Sequence, residues 1–277
     1  MTPRVRLRAV LLVFSMTVTA SSLFARAQTP DAKAKEQEKP RSRASRRDPP
    51  GYYMGRRIAD VMSFAGADWL IRETREQEEQ PESMLEALEI PKGATVADVG
   101  AGVGYTSIRL ARRVGPNGTV LATDVQTEML AMLADNAREA GFPNIKPIRC
   151  TATDPKLPEG KVDLILMVDV YHECSSPEAT LRGLRKALKP NGRLVLVEFR
   201  AEDPEVPIKP EHKMTLRQVR RELEPQGFTF KKSLEFLPWQ HIIVFEKSAE
   251  KEPAADEERG AGKGLQKERP EPAAGGS

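Results

Sequence analysis

Val96-Ala97-Asp98-Val99-Gly100-Ala101-Gly102-Val103-Gly104-Tyr105 is the stretch on which the fold turns. The run from Ala94 to Val99 is short and mostly apolar, as expected of a strand buried on both faces. A glycine loop follows it, and Thr106 to Val114 then reads as a helix. A glycine loop carries meaning in that setting, after a strand and before a helix. Its glycines let the backbone approach a ligand closely. The spacing is Gly100-x-Gly102-x-Gly104, and Tyr105 stands where a dinucleotide loop places its third glycine. Asp98 precedes the first glycine by two positions. A carboxylate aimed into such a pocket repels a pyrophosphate and suits a ligand that carries an ammonium group.

Downstream, apolar runs alternate with helical patterns. Thr119 to Asp124 is a second strand candidate. Asp124 ends it about twenty residues after Gly104, where an acidic side chain accepts hydrogen bonds from ribose hydroxyls. Dinucleotide sites share that feature. Thr127 opens a helix with Met129, Leu130, Leu133, Ala134 and Ala137 on its apolar side, closed by Gly141. Ile145 to Arg149 is a weak third strand and Val162 to Val168 a clear fourth. Ser176-Pro177 starts another helix, which ends near Leu188-Lys189-Pro190-Asn191-Gly192, a turn into the strand from Arg193 to Glu198. Thr215 to Gln218 is a capping box, and Gly227 ends that helix. Phe228 to Phe236 and Gln240 to Phe245 form a closing antiparallel pair. The expected fold is α/β: a doubly wound, Rossmann-like, seven-stranded and mainly parallel sheet, with an antiparallel strand near the C-terminus.

Ahead of this core, Ile58, Val61, Met62, Ala65, Trp69 and Leu70 recur at helical spacing. They predict one or two amphipathic helices over 56–79, with Arg72 to Glu76 as a solvated face. With Tyr52-Tyr53-Met54, the segment is either a lid over the pocket or a helix packed on the sheet edge.

The ends read differently. Arg4, Arg6 and Arg8 precede the mostly apolar run Ala9 to Ala20, and Ala25-Arg26-Ala27 matches a small-x-small cleavage site. The expected division is a signal peptide over 1–27, a disordered linker over 28–50, and a helical extension over 51–80. A catalytic domain over 81–247 and a disordered tail over 248–277 complete it. The chain is then exported, periplasmic or secreted, or held at a membrane by an uncleaved N-terminus. A net charge of +3 argues against a nucleic-acid partner. Cys150 and Cys174 have neither the number nor the spacing of a disulfide framework or a zinc site.

Residues 84–200 resemble a class I S-adenosylmethionine-dependent methyltransferase, nearest the group of the ubiquinone and menaquinone C-methyltransferases. Val96 to Tyr105 resembles that family's first motif and Thr123-Asp124-Val125 its second. Leu188 to Leu194 resembles its usual lead-in to strand five. The resemblance implies S-adenosylmethionine as cofactor, with the methionine part at Asp98, Gly100, Ala101, Gly102, Gly104 and Tyr105. It places the ribose at Asp124 beside Val125, and the adenine near Thr151 to Asp154. There the chain departs from the pattern: Cys150-Thr151-Ala152-Thr153-Asp154 replaces a common Gly-Asp-Ala, leaving Thr153 or Asp154 as substitutes. The stretch Val168-Asp169-Val170-Tyr171-His172-Glu173 faces the transfer site, because ligands of such sheets bind beyond the carboxyl ends of the strands. Asp169 shapes the pocket. His172 and Glu173, with Tyr171, are the catalytic candidates, as bases for an acceptor that must lose a proton. Glu211-His212-Lys213 and His241 read as structural, and no metal is expected. The expected activity is methyl transfer to a small-molecule acceptor. The alternatives are a non-catalytic binder of the same cofactor and a dinucleotide-dependent oxidoreductase.

Overall fold

The computed structural model describes residues 48–248. The proposed signal peptide, most of the linker and the tail beyond Ser248 lie outside the described residues. Two miniature strands, β1 (Tyr52–Tyr53) and β2 (Arg56–Arg57), pair as a hairpin. A 3-10 turn over Phe64–Ile71 and two short helices, α1 (Arg75–Glu79) and α2 (Pro81–Glu86), follow. The core then alternates: β3 (Thr95–Val99), α3 (Tyr105–Val114), β4 (Thr119–Asp124), α4 (Thr127–Glu139), β5 (Ile145–Arg149) and β6 (Val162–Val168). After a 3-10 turn over Tyr171–Glu173 come α5 (Pro177–Ala187), β7 (Leu188–Arg200), β8 (Lys213–Met214), α6 (Leu216–Leu223), β9 (Phe228–Leu234) and β10 (Gln240–Lys247).

The strand order is β5-β4-β3-β6-β7-β10-β9. These seven are the expected sheet, and the two-residue β8 joins it alongside β7. The pairs among β3 to β7 are parallel, while β10 runs antiparallel to both β7 and β9. Consecutive strand residues go to opposite faces. Leu164, Leu166, Val195, Val197, Ile242 and Val244 pack on one face with Leu85, Leu110 and Leu133 of α2, α3 and α4. Ile165, Met167, Leu194, Leu196, Ile243 and Phe245 pack on the other with Leu181, Leu184, Val219 and Leu223 of α5 and α6. Both faces are covered, which is why these strands read as unbroken apolar runs.

The segment 56–79 departs from the amphipathic helix that its spacing predicts. Residues 58–63 form no helix, and the 3-10 turn buries none of its residues. Val61 and Trp69 remain 50% and 51% exposed. Long-range hydrogen bonds hold the chain extended instead. Ala59 N donates to the His172 carbonyl at 3.1 Å, Phe64 N to Gln126 Oε1 at 2.8 Å, and Gln126 Nε2 to the Met62 carbonyl at 2.8 Å. A weak local propensity gives way when distant partners satisfy the backbone. The capping box is half made: Thr215 Oγ1 accepts from Gln218 N, but the Gln218 amide reaches Glu222 and the Met54 carbonyl. Cys150 and Cys174 are free thiols. Among the described residues no helix is long and apolar enough to cross a membrane.

Candidate active site

β3 ends on Asp98 and Val99, and the chain turns through three left-handed glycines, with φ of +73° at Gly100, +53° at Gly102 and +89° at Gly104. The Gly100 and Ala101 amides donate to the Thr123 carbonyl at 2.8 and 3.0 Å, tying the loop to β4. The Gly102 amide donates to Asp124 Oδ2 at 3.0 Å, and Gln126 N donates to Oδ1 at 2.8 Å. Two backbone amides therefore fix the Asp124 carboxylate at the rim of the loop, and burial raises its pKa. Val125 follows it in the turn into α4. Asp98 is 2% exposed and accepts from Ser107 Oγ at 2.6 Å. Burial pushes its carboxyl up to about 6.

β6 ends beside this loop. A Cβ on Gly100 would lie 2.5 Å from Val170 Cγ2, so only glycine leaves room for the β6 end. Asp169 has φ of +54°, a conformation that costs a non-glycine residue energy and recurs at functional sites. Its Oδ2 accepts from Gln240 Nε2 at 2.7 Å, while its buried Oδ1 has no partner among the described residues. Burial holds the carboxyl well above the usual range, with Glu79 and Glu198 adding to the effect.

The catalytic candidates separate here. The Tyr171 hydroxyl is fully buried and donates to Glu222 Oε2 at 2.8 Å, so it is committed to the packing between the 3-10 turn over Tyr171–Glu173 and α6. His172 is buried and donates from Nδ1 to Glu198 Oε2 at 2.5 Å, and the Tyr171 amide donates to Glu198 Oε1 at 2.9 Å. His172 Nε2 faces His212 Nδ1 at 3.1 Å. Glu173 Oε1 lies 4.0 Å from the same His212 nitrogen, and burial pushes the Glu173 carboxyl up to about 7. His212, read from sequence as structural, thus joins His172 and Glu173 at the end of β7. Glu198 is another residue that the spacing did not single out, although a lone charge ending an apolar strand was the signal. His241 stays apart, buried in β10 with burial lowering its pKa.

Thr153 and Asp154 sit past the end of β5, in a turn closed by Thr151 and Asp154. The Asp154 carboxylate is engaged with Lys156, through the amide at 2.8 Å and Nζ at 2.7 Å. Tyr105 opens α3 with its hydroxyl donated to Glu76 at 2.7 Å, and the Arg75 and Arg109 guanidiniums stack on its ring at 4.3 and 3.8 Å.

The N-terminal segment covers the loop. Leu70 packs on Gly102, and Arg75 hydrogen-bonds the Leu70 carbonyl at 2.6 Å and Glu79 at 2.7 Å. The cavity between Leu70, Arg75, Asp98, Gly100, Tyr105 and Val168 is about 30 Å³, room on the order of one water molecule. A larger cavity of about 260 Å³ lies between the 3-10 turn and α4, lined by Ile71, Val103, Met132 and Asn136, away from Asp98. The donor set suits an ammonium-bearing nucleoside: a loop of three left-handed glycines, one buried carboxylate at Asp98 and another at Asp124 on the loop's rim. The cover must shift before such a ligand enters.

A methyltransferase-domain family model matches residues 90–246. The chain is 31% identical over 111 residues to the ubiquinone/menaquinone biosynthesis C-methyltransferase UbiE of Citrobacter koseri, covering 40% of this chain and 44% of that protein. Its counterpart from Cellvibrio japonicus is 31% identical over 116 residues, covering 42% and 47%. The chain therefore spans less than half the length of these curated relatives. A SAM dependent methyltransferase from Aquifex aeolicus matches in structure with a TM-score of 0.64 at 26% identity, covering 68% of this chain and 100% of that one. The [4+2]-cyclase SpnF matches with a TM-score of 0.52 at 17% identity, over 61% and 80%, a likeness of fold alone. With the glycine cradle, Asp98 and Asp124 in register, these matches mean that the chain belongs to the class I S-adenosylmethionine-dependent methyltransferase family.

Proposed function

We propose that the chain transfers a methyl group to a small-molecule acceptor seated beyond the carboxyl ends of β6 and β7. The observation that carries this reading is the convergence of Asp98 and the amide-fixed Asp124 on one glycine loop, with the His172 group beside it. S-adenosylmethionine, when bound, supplies an electrophilic methyl on a sulfonium. The protein's part is positioning, which accounts for much of such a rate enhancement. Asp98 meets the ammonium group and Asp124 keeps lone pairs for the ribose hydroxyls. Thr153 and Asp154 border the adenine from the β5 side. Glu198 fixes one His172 nitrogen, and the other meets His212 Nδ1 at 3.1 Å, so any proton taken from the acceptor passes through that histidine pair. Tyr171 acts as a positioning residue through Glu222.

Incubating the full chain with S-adenosylmethionine and panels of phenols, thiols and amines tests the reading. Acceptor-dependent release of S-adenosylhomocysteine is expected. Tight cofactor binding with no turnover on any acceptor or on cell extract favours a non-catalytic binder instead. The Arg4 to Ala27 pattern supports export. Recovering a mature chain that starts at Gln28 from the exported fraction is the expected result, and a chain starting at Met1 in the cytosolic fraction contradicts it.

The Asp98 carboxyl is held near 6, above its unfolded value, so the folded state keeps its proton longer. Its contribution to stability is full below the ordinary carboxylate range and is lost as pH rises through about 6. Cation binding needs the ionised form, so cofactor affinity is expected to rise between about pH 5 and about pH 7. Calorimetry of Asp98→Asn is expected to show that rise flattened. Cover opening, in turn, is expected to limit cofactor entry. Stopped-flow fluorescence of Trp69, which stacks on Arg72 at 3.9 Å, should show a binding rate that saturates with cofactor concentration. Leu70→Ala should raise the plateau. A rate linear in concentration would contradict a closed cover.

A further inference from the structure

We propose that His172, His212 and Glu173 form a binding site for a divalent first-row transition metal of the zinc class, at the end of β7 beside the cofactor loop. Two of the chain's three histidines meet there, although forty positions separate them. His172 Nε2 and His212 Nδ1 are 3.1 Å apart, and the rings stand at 80° with centroids 5.0 Å apart. One ligand atom from each of the three residues lies within 4.8 Å of the others. Two imidazole nitrogens bound tetrahedrally to zinc at about 2.0–2.1 Å lie roughly 3.3 Å apart, close to the spacing observed. A small rotation of the half-buried Glu173 side chain brings its carboxylate, now 4.0 Å from His212, into the same sphere.

The support around the ligands has the form that metal sites take. A metal-bound histidine usually donates its other ring nitrogen to a carboxylate, which fixes the tautomer and the ring. His172 does this with Glu198 at 2.5 Å, and Glu198 is fully buried and held in turn by the Tyr171 amide. The His172 backbone is pinned as well: its carbonyl accepts from Arg56 and from the Ala59 amide. Pro210 begins the 3-10 turn that sets His212, whose amide donates to the Lys209 carbonyl at 3.0 Å. Two imidazoles and one carboxylate favour zinc, iron or cobalt over magnesium or calcium, which prefer oxygen donors alone. Three protein ligands leave a further position for water or an acceptor atom. That role toward the acceptor rests on the methyl-transfer reading, whereas metal binding stands without it.

The test uses the full chain, free of any affinity tag and stripped with chelator. Cobalt(II) is titrated in and read by visible absorption, then displaced with zinc. The expected result is a saturable one-to-one change to the strong bands of low-coordinate cobalt, lost in His212→Ala. The half-exposed His212 lies on a surface turn, so that variant keeps its fold, as circular dichroism checks. Glu198→Gln is expected to weaken binding by about 10–100-fold. A spectrum that stays that of hydrated cobalt, or equal affinity in wild type and His212→Ala, overturns the proposal. Calorimetry of the metal-free wild type with S-adenosylmethionine tests the cofactor reading separately.

Discussion

Glu222→Ala is expected to destabilise the protein by about 3–5 kcal/mol, the cost of leaving a buried charge without its partner. Glu222 is fully buried on α6, where the helix packs on the sheet. It accepts from Arg56 Nε at 2.7 Å and Nη2 at 3.1 Å, from the Tyr171 hydroxyl at 2.8 Å and from Gln218 Nε2 at 2.7 Å. The Arg56 side chain is only 11% exposed, so its charge has little water to turn to. A loss of this size is a large part of the roughly 5–15 kcal/mol that holds a typical domain. The effect also reaches the site, because Arg56 Nη1 donates to the His172 carbonyl at 3.0 Å. Replacing Glu222 and Arg56 with leucine removes both charges, leaving only the Tyr171 hydroxyl and the Gln218 amide without their acceptor, and is expected to cost less. Urea unfolding of the single and double variants checks the difference. Equal losses in both would mean that packing volume, not the unpaired charge, sets the cost.

Gly100→Ala is expected to reduce cofactor affinity at least about tenfold, or roughly 1.4 kcal/mol. Two penalties combine there. A φ of +73° suits glycine and costs an alanine about 1–3 kcal/mol. The new methyl would also lie 2.5 and 2.6 Å from the Val170 methyls. Relief comes only by moving the loop off β4 or pushing Val170 toward the transfer site, and either change distorts the cradle. Gly102→Ala meets the flexible end of Leu70 instead, at 2.7 Å. It shares the backbone strain, at a φ of +53°, but its steric part falls on the cover rather than on Val170, so it is expected to be milder. Calorimetric titration of both variants separates the two cases.

The sheet was legible because a strand buried on both faces must be apolar throughout. Thr119–Asp124 and Val162–Val168 stand where their apolar runs put them, while Ile145–Arg149, a mostly exposed edge strand, left only a weak mark. The glycine loop was legible because its backbone angles demand glycine. The cover was not legible. Ile58 to Leu70 has helical spacing, but its backbone partners are Gln126 and His172, far along the chain. No local pattern encodes such a partner. The meeting of His172 with His212 was hidden for the same reason, since β7 and its long return loop intervene. Glu198 and Glu222 left fainter marks, each a lone carboxylate on an otherwise apolar face. Such a residue must find buried donors, and reading it as an unmet need would have pointed to His172 and Arg56. The loop at Thr153 and Asp154 was visible as a departure, but its turn and the Lys156 pairing depend on side-chain geometry that sequence does not carry.

Isothermal titration of the purified full chain with S-adenosylmethionine, and in parallel with NAD, decides whether the glycine loop takes a sulfonium or a pyrophosphate ligand. Saturable binding of S-adenosylmethionine at one site per chain, weakened in Gly100→Ala and with no heat from NAD, is the predicted result. Binding of NAD without binding of S-adenosylmethionine would contradict the reading of Asp98 and its glycine loop.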